Sequence, residues 1–365
     1  MIARAVDDTR TDLLAFTPDE LQQELVRFFE AHGERAFRAR QVARWLYEEC
    51  ARDFSDMTDL SKGARELLAT HYVIGEPEID TVSVSTDRTA KHLWRLHDGE
   101  LVESVLIPTE DRLTLCISSQ AGCAMGCTFC ATGWSGFRRN LTAGEIVAQY
   151  RASRRWAEAN GYGPITNIVY MGMGEPLSNR PAVMASLTIL NHGYGVGARR
   201  ITVSTVGVVP GIVELARRQE QFKLALSLHA PDEALRRELI PLEKRWPLPE
   251  LMEALEEFDR AGGRRITFEY TMIDGVNDAE DLAPRLAAMA SRFKAFVNLI
   301  PFNPIPWQPT WGPSKPARIR HFARVLEQAG VDVAVREPRG RDIDAACGQL
   351  RANALVQIEG GVSEG

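Results

Sequence analysis

From residue 113 onward, short apolar runs alternate with longer stretches in which apolar residues recur every three or four positions. The runs are LTLCIS, ITNIVYM, RITVST, KLALSLH, RITFEYTMI and AFVNLI. Amphipathic patterns follow most of them, at 142–159, 181–191, 209–219, 249–261, 278–292 and 316–329. Near-continuous apolar strands are those buried on both faces, as in a parallel sheet covered by helices. The pattern therefore predicts an α/β fold of six strand–helix units, an incomplete, open (βα)6 barrel. VDVAVRE near the end can add an edge strand. In such folds chemistry collects at the C-terminal ends of the strands.

The first part of the chain has a different rhythm. TPDELQQELVRFFEAHG opens on a cap-like Thr17, carries acids in its first turn and is closed by Gly33. RARQVARWLYEEC puts Val42, Trp45 and Leu46 on one helix face and Arg40 and Arg44 on another. DLSKGARELLATH is a third helix. Residues 1–75 thus read as a small helical module without a large core of its own. Arg38, Arg40 and Arg44 beside Trp45 are a candidate RNA-binding face, and equally an ordinary solvated face. Residues 76–110 alternate apolar and polar, with turn signals at Asp87-Arg88 and Asp98-Gly99, and predict two or three antiparallel strands. The barrel then occupies 111–345. A C-terminal segment, 346–365, ends in a tail that reads as frayed from about 353.

Composition narrows the class. At 45% hydrophobic and 25% charged residues the chain is an ordinary globular one. No run approaches the ~18 apolar residues of a membrane span. The N-terminal stretch has acids and no long apolar core, so it does not read as a secretory signal, and a cytoplasmic location is expected. The net charge of −6 marks no obvious nucleic-acid binder, although a local basic patch can hide in it. Only 6 of the 43 basic residues are lysine. Arginine suits phosphate through its planar fork.

Six cysteines are too few for a disulfide scaffold, yet four of them, Cys116, Cys123, Cys127 and Cys130, fall within fifteen residues. CAMGCTFC, 123–130, offers three thiolates on one loop after the first barrel strand. A zinc loop usually pairs C-x-x-C with a second pair, and none is present. A [4Fe–4S] cluster held by Cys123, Cys127 and Cys130 keeps one iron open. S-adenosylmethionine can chelate that iron, and C-x-x-x-C-x-x-C is the signature of that radical chemistry. GMGEP, 172–176, fits the same ligand: Gly174 permits close backbone approach, and Glu175 can pair with an ammonium group. Ser204, Ser227, His229 and Asn303 each end a strand, with Leu228 inside the same SLHAP stretch, and are candidate ribose and carboxylate contacts. Any one of them could instead satisfy loop backbone.

TLCISSQAGCAMGCTFCATG, FRRNLTAGEIVAQ, MGMGEPLSN, ALSLHAP, LIPFNP and RGRDIDAACGQL together resemble the radical-SAM adenine-C2 methyltransferases that act on 23S rRNA and tRNA. The resemblance runs from the helical module to about residue 352. It implies two S-adenosylmethionine molecules per turnover, a flavodoxin-type electron donor, and a monomer that needs no membrane. It also implies roles for residues that spacing alone leaves open. Cys347 matches the cysteine that becomes S-methylated and carries the methyl carbon to the base. Cys116 matches the cysteine that resolves the adduct through a transient disulfide. Glu103, in LVESVLIP, matches the base that removes the C2 proton. Nearby Arg336, Arg339 and Arg341 can favour the Cys347 thiolate or contact RNA phosphate. A related branch methylates C8 of the same rRNA adenine. GMGEPL and the longer helical module favour the C2 branch. A zinc-stabilised RNA-binding module is the alternative from another class.

Overall fold

The structure, a computed structural model, describes residues 10–262 and 265–350. The tail expected from about residue 353 lies outside the described residues. The chain begins with β1 (Thr11–Asp12), α1 (Pro18–Ala31), α2 (Arg38–Tyr47), α3 (Lys62–His71) and β2 (Tyr72–Val73), where β1 and β2 pair. β3 (Glu78–Val84), β4 (Ala90–Arg95) and β5 (Leu101–Pro108) form an antiparallel meander that continues into β6 (Leu113–Cys116). β7 (Gln120–Gly122) and β8 (Phe137–Asn140) pair across the cysteine loop, which contains α4 (Ala131–Trp134). Strand–helix units follow: α5 (Ala143–Ala159), β9 (Ile165–Tyr170), α6 (Arg180–Thr188), β10 (Ile201–Thr205), α7 (Val209–Ala216) and β11 (Lys223–Ser227). Then come α8 (Glu233–Leu239), α9 (Leu248–Arg260), β12 (Ile266–Met272), α10 (Leu282–Arg292), β13 (Phe296–Pro301), α11 (Pro316–Gln328) and β14 (Val333–Val335).

One ten-stranded sheet runs in the order β14-β13-β12-β11-β10-β9-β6-β5-β4-β3. From β6 to β14 every pairing is parallel, so the six expected barrel strands are present and VDVAVRE supplies the expected edge strand. The meander extends the other edge. Strand pleating sorts the side chains. Val203, Leu224, Leu226, Phe268, Tyr270, Val297 and Leu299 are buried in the main core. Ser204, Ser227, Thr267, Thr271 and Asn298 alternate with them and stay half-buried on the other face. That second face is polar because it borders a cavity instead of a helix layer.

The helical module holds a core larger than its sequence suggests. Leu21, Leu25, Phe29, Val42, Leu46, Met57 and Leu68 are packed into one cluster, and Ala148 of α5 closes it. The junction to the barrel is polar at its centre. Arg151 of α5 is fully buried and donates to the carbonyls of Leu46 and Ala51 and to the Tyr194 hydroxyl, while its Nε lies 2.9 Å from Glu76. Each donor of this guanidinium thereby satisfies a group that the junction would otherwise strand without water. Asp12 adds a second fastening, accepting from the Leu14 and Gly75 amides at 3.0 Å each. It presses on α5 so closely that a Cβ on Gly144 would sit 2.2 Å from its Oδ2.

Replacing Arg151 by methionine keeps volume but strands two carbonyls and part of Glu76. Removing one partner of such a buried network costs about 3 kcal/mol. Urea unfolding followed by circular dichroism should show the midpoint fall accordingly. An unchanged midpoint would mean that the module is held by its apolar contacts alone.

Candidate active site

The cysteine loop begins where β6 stops. Cys116 is the last residue of β6, and the next residues leave the sheet through a buried polar joint. Ser118 donates from its hydroxyl to the Glu103 carbonyl at 2.6 Å and accepts there from the Met173 amide at 2.8 Å. Gln149 of α5 pairs with the Ser118 backbone in both directions, at 2.9 Å each. Gly122 has φ +76°, and a Cβ there would lie 1.9 Å from the Gly136 carbonyl, so glycine is required for the hairpin that frames the loop. At the loop's exit Thr142 and Glu145 cap α5 reciprocally, and Arg139 of β8 grips Glu145 at 2.7 and 2.8 Å.

Cys123, Cys127 and Cys130 all line one cavity. Burial pushes the Cys123 thiol up to about 12 and raises Cys127 and Cys130 as well, with the neighbouring thiols adding to the effect at Cys127. Among the described residues no three His, Cys, Asp or Glu side chains converge as they would on a single ion. A cluster asks something different of its donors. Each cysteine holds its own iron, so the thiols must face a common space and not a common point. Three thiols on one cavity wall, with open volume before them, fit that demand.

The GMGEP loop borders the same cavity through Gly174 and Glu175. Gly174 has φ +99° and packs against Gln120, leaving no room for a side chain. Glu175 does more than face a ligand. Its Oε1 accepts from the Leu177 amide at 2.9 Å and its Oε2 from the Val206 amide at 2.8 Å, so the carboxylate joins the loops after β9 and β10. Burial lifts its pKa to about 7, against those hydrogen bonds, which favour the charged form.

Ser204, Ser227, His229 and Asn303 also line the cavity, as their strand-end positions predicted. His229 adopts the left-handed region at φ +56°. Its Nδ1 accepts from the Thr271 amide at 2.9 Å. Burial, with Arg236 nearby, lowers it to about 3, so the ring is neutral and carries its proton on Nε2. Asn303 is already engaged: it donates to the Cys347 carbonyl at 3.2 Å and accepts from Arg341 at 3.3 Å. Leu228 departs from its expected place. Strand alternation turns its side chain away from Ser227 into the main core, and it does not line the cavity.

Cys347 arrives from the far end of the chain. It is exposed, lines the cavity and sits in a segment tied down on both sides. Toward the meander, Ser85 donates to Asp342 at 2.6 Å and the Gly340 amide donates to Asp87 at 3.1 Å. Toward the cysteine loop, the Ala131 amide donates to the Gly348 carbonyl at 2.7 Å. Cys116 is buried. Burial pushes its thiol up to about 12; Cys347 is near enough to raise it further, and Arg336 near enough to oppose the rise. Arg336 is held more firmly charged than usual, by Cys347 first and by Glu269 and Cys116 after it. The other two arginines turn elsewhere, Arg339 to Asp87 at 4.0 Å and Arg341 to Asn303.

Glu103 and Cys116 do not line the cavity directly. Val105 stands opposite Cys116, and Glu103 lies two residues before Val105, so Glu103 and Cys116 share one face of the sheet. Glu103 is buried, with Lys91 Nζ 3.3 Å from its Oε1. Sequence reasoning missed Glu269. Its Oε1 accepts from Asn298 at 2.9 Å, while its Oε2 is buried without a hydrogen-bond partner in a residue that lines the cavity. The signal was available: one charge in the middle of the apolar strand ITFEYTM.

Residues 11–74 match the family described as Ribosomal RNA large subunit methyltransferase N-terminal domain, and residues 117–283 match the Radical SAM superfamily. The chain is 50% identical over 346 residues to a probable dual-specificity RNA methyltransferase RlmN of Gemmatimonas aurantiaca, covering 94% of each chain. It is 45% identical to the dual-specificity RNA methyltransferase RlmN of a Marinomonas species, again over 94% of each. Among solved structures, a radical SAM methyltransferase from Sphaerobacter thermophilus superposes with a TM-score of 0.88 at 46% identity, covering 94% of this chain and 99% of the other.

Glu175→Ala removes the acceptor of two backbone amides at once. The expected cost is about 2 kcal/mol of stability without any ligand present, read as a lower melting temperature of the protein without S-adenosylmethionine. Wild-type stability in that variant would show that the two loops are joined by other means.

Proposed function

The chain belongs to the RlmN family of dual-specificity RNA methyltransferases within the radical SAM superfamily, and on that premise we propose that it methylates carbon 2 of adenine in 23S rRNA and in tRNA. The expected targets are adenine 2503 of the rRNA and adenine 37 of tRNA. The observation that carries this reading is that Cys347, from the C-terminal segment, lines the three-thiol cavity and lies near enough to Cys116, at the end of the first barrel strand, to act on its charge.

Adenine C2 is electron-poor and has neither an acidic hydrogen nor a lone pair, so polar methyl transfer has no foothold there. Cys123, Cys127 and Cys130 would hold a [4Fe–4S] cluster, with a flavodoxin-type protein as its electron donor. The chemistry such a cluster would supply there is one-electron cleavage of S-adenosylmethionine to a 5′-deoxyadenosyl radical. The remaining work falls to side chains of this chain. Cys347 takes a methyl group from one S-adenosylmethionine, and once that methyl has given up a hydrogen atom to the radical, Cys347 presents the carbon for bonding to C2 of the base. Glu103 accepts the proton from C2. The Cys116 thiolate then bonds to the Cys347 sulfur as the carbon–sulfur bond breaks; the departing carbon keeps that electron pair and takes up a proton, which frees the methylated base and leaves a disulfide. Arg336 opposes the rise that burial imposes on the Cys116 thiol. Glu175, Gly174, Ser204, Ser227, His229 and Asn303 seat S-adenosylmethionine.

Each of Cys123→Ala, Cys127→Ala and Cys130→Ala should lose the iron, sulfide and brown colour of anaerobically purified protein. Full iron in the triple variant sinks the cluster assignment.

The paired thiols give a sharper test. Cys347→Ala should form no covalent link to RNA. Cys116→Ala should join its base and fail to release it, so that nuclease digestion leaves a nucleotide mass on Cys347. Normal turnover by Cys116→Ala, with no RNA attached, refutes the two-thiol mechanism. Mass spectrometry of the modified adenosines distinguishes C2 from C8.

A further inference from the structure

Glu103 shares its burial with a cation that no motif singled out. Lys91 of β4 stands opposite Val105 of β5, which stands opposite Cys116 of β6. Directly paired residues put their side chains on one face, and Glu103 faces the same way. Lys91 therefore reaches across the meander on the side where Cys116 lies. Its Nζ is 3.3 Å from Glu103 Oε1 and donates at 3.2 Å to the carbonyl of Asp344. Asp344 is three residues before Cys347 and takes the left-handed conformation at φ +50°. Both side chains are nearly dry, Lys91 12% and Glu103 3% exposed.

One ammonium thus joins a carboxylate fixed in the sheet to the segment that delivers Cys347. Lysine suits this place: a compact charge with three donors can serve a carboxylate and a carbonyl at once. Stranding either acceptor in so dry a place would be costly. The other contacts between the meander and the segment lie further from Cys347. Ser85 and Thr86 hold Asp342, and Asp87 holds Gly340. They keep the segment docked, whereas Lys91 acts on the turn immediately before the cysteine.

We propose that Lys91 is a positioning residue that keeps the Glu103 carboxylate and the Cys347 segment in one fixed relation, so that both address the same ring carbon of the substrate base. The part concerning Glu103 rests on the C2 reading above. Lys91 exchanges no proton in this role and contacts neither the RNA nor S-adenosylmethionine. Its effect passes through the two groups it holds.

The test compares full-length, cluster-loaded Lys91→Met and Lys91→Arg with wild type and Cys116→Ala. Lys91→Met should turn over more slowly by on the order of tenfold, with RNA affinity unchanged. Its Cys347 should carry a nucleotide mass after nuclease digestion although Cys116 is intact, because the C2 proton is removed too slowly for release. Lys91→Arg, which still offers two donors, should recover most of the rate. Amide hydrogen exchange over residues 340–348 should be faster in Lys91→Met than in wild type. Wild-type turnover by Lys91→Met overturns the proposal, as does a slow Lys91→Met with a clean Cys347 and unchanged exchange. If Cys116→Ala also carries no RNA, the C2 reading fails, while the exchange comparison still decides whether Lys91 anchors the Cys347 segment.

Discussion

A single buried hydroxyl, that of Ser118, fixes the relation between the parts of this site. It donates to β5 through the Glu103 carbonyl and accepts from the loop after β9 through the Met173 amide. Gln149 of α5 completes the joint by pairing with both backbone groups of the same residue. Four segments that carry separate chemistry are locked by hydrogen bonds that have no water to fall back on. They are the strand of Glu103, the start of the cysteine loop, the GMGEP loop and the helix that seats the N-terminal module. The cavity keeps its shape because this joint cannot yield locally.

The C-terminal segment meets the opposite demand. Cys347 is exposed, so it is not locked by burial as Cys116 is. Its position comes instead from backbone contacts on each side, to the meander, to the cysteine loop and to Asn303. Hydrogen bonds to backbone fix the path of a segment while leaving its side chain free to turn. That suits the two successive partners proposed for this thiol. Asn303 serves this architecture in addition to bordering the cavity, a double use that its strand-end position does not reveal.

Charge is spent sparingly and in dry places. Arg151 with Glu76 fastens the module, Arg236 with Glu243 lies buried below the cavity, and Arg336 with Glu269 borders it. Arg151 and Arg236 each meet a carbonyl and a carboxylate that would otherwise be stranded, a use for which five donors are suited. The arginine-rich composition therefore reflects internal fastening as well as any RNA contact. Within the predicted RNA face, Arg38 pairs with Glu34 and Arg44 with Asp59, while Arg40 is exposed.

Much of this was legible in the chain itself. Apolar runs alternating with amphipathic stretches specified the parallel barrel strands, because the requirement to bury a strand under helices is local and periodic. The cysteine loop, GMGEP and the strand-end serines were legible for a related reason: loops at strand ends have a fixed place in such a fold. The Leu228 side chain lies in the core because a pleated strand sends neighbours to opposite faces, which a motif read residue by residue does not show. Lys91 and the engagement of Asn303, Glu175 and Glu269 were not legible. Each depends on which side chain stands across from it on another strand, or on a segment returning from hundreds of residues away. Sequence determines the period of a strand and the chemistry a loop can offer. Register between strands, and the path of the C-terminal segment back to the first barrel strand, are settled by packing alone, and they bring Cys347, Arg336, Cys116 and Glu103 to one side of the sheet.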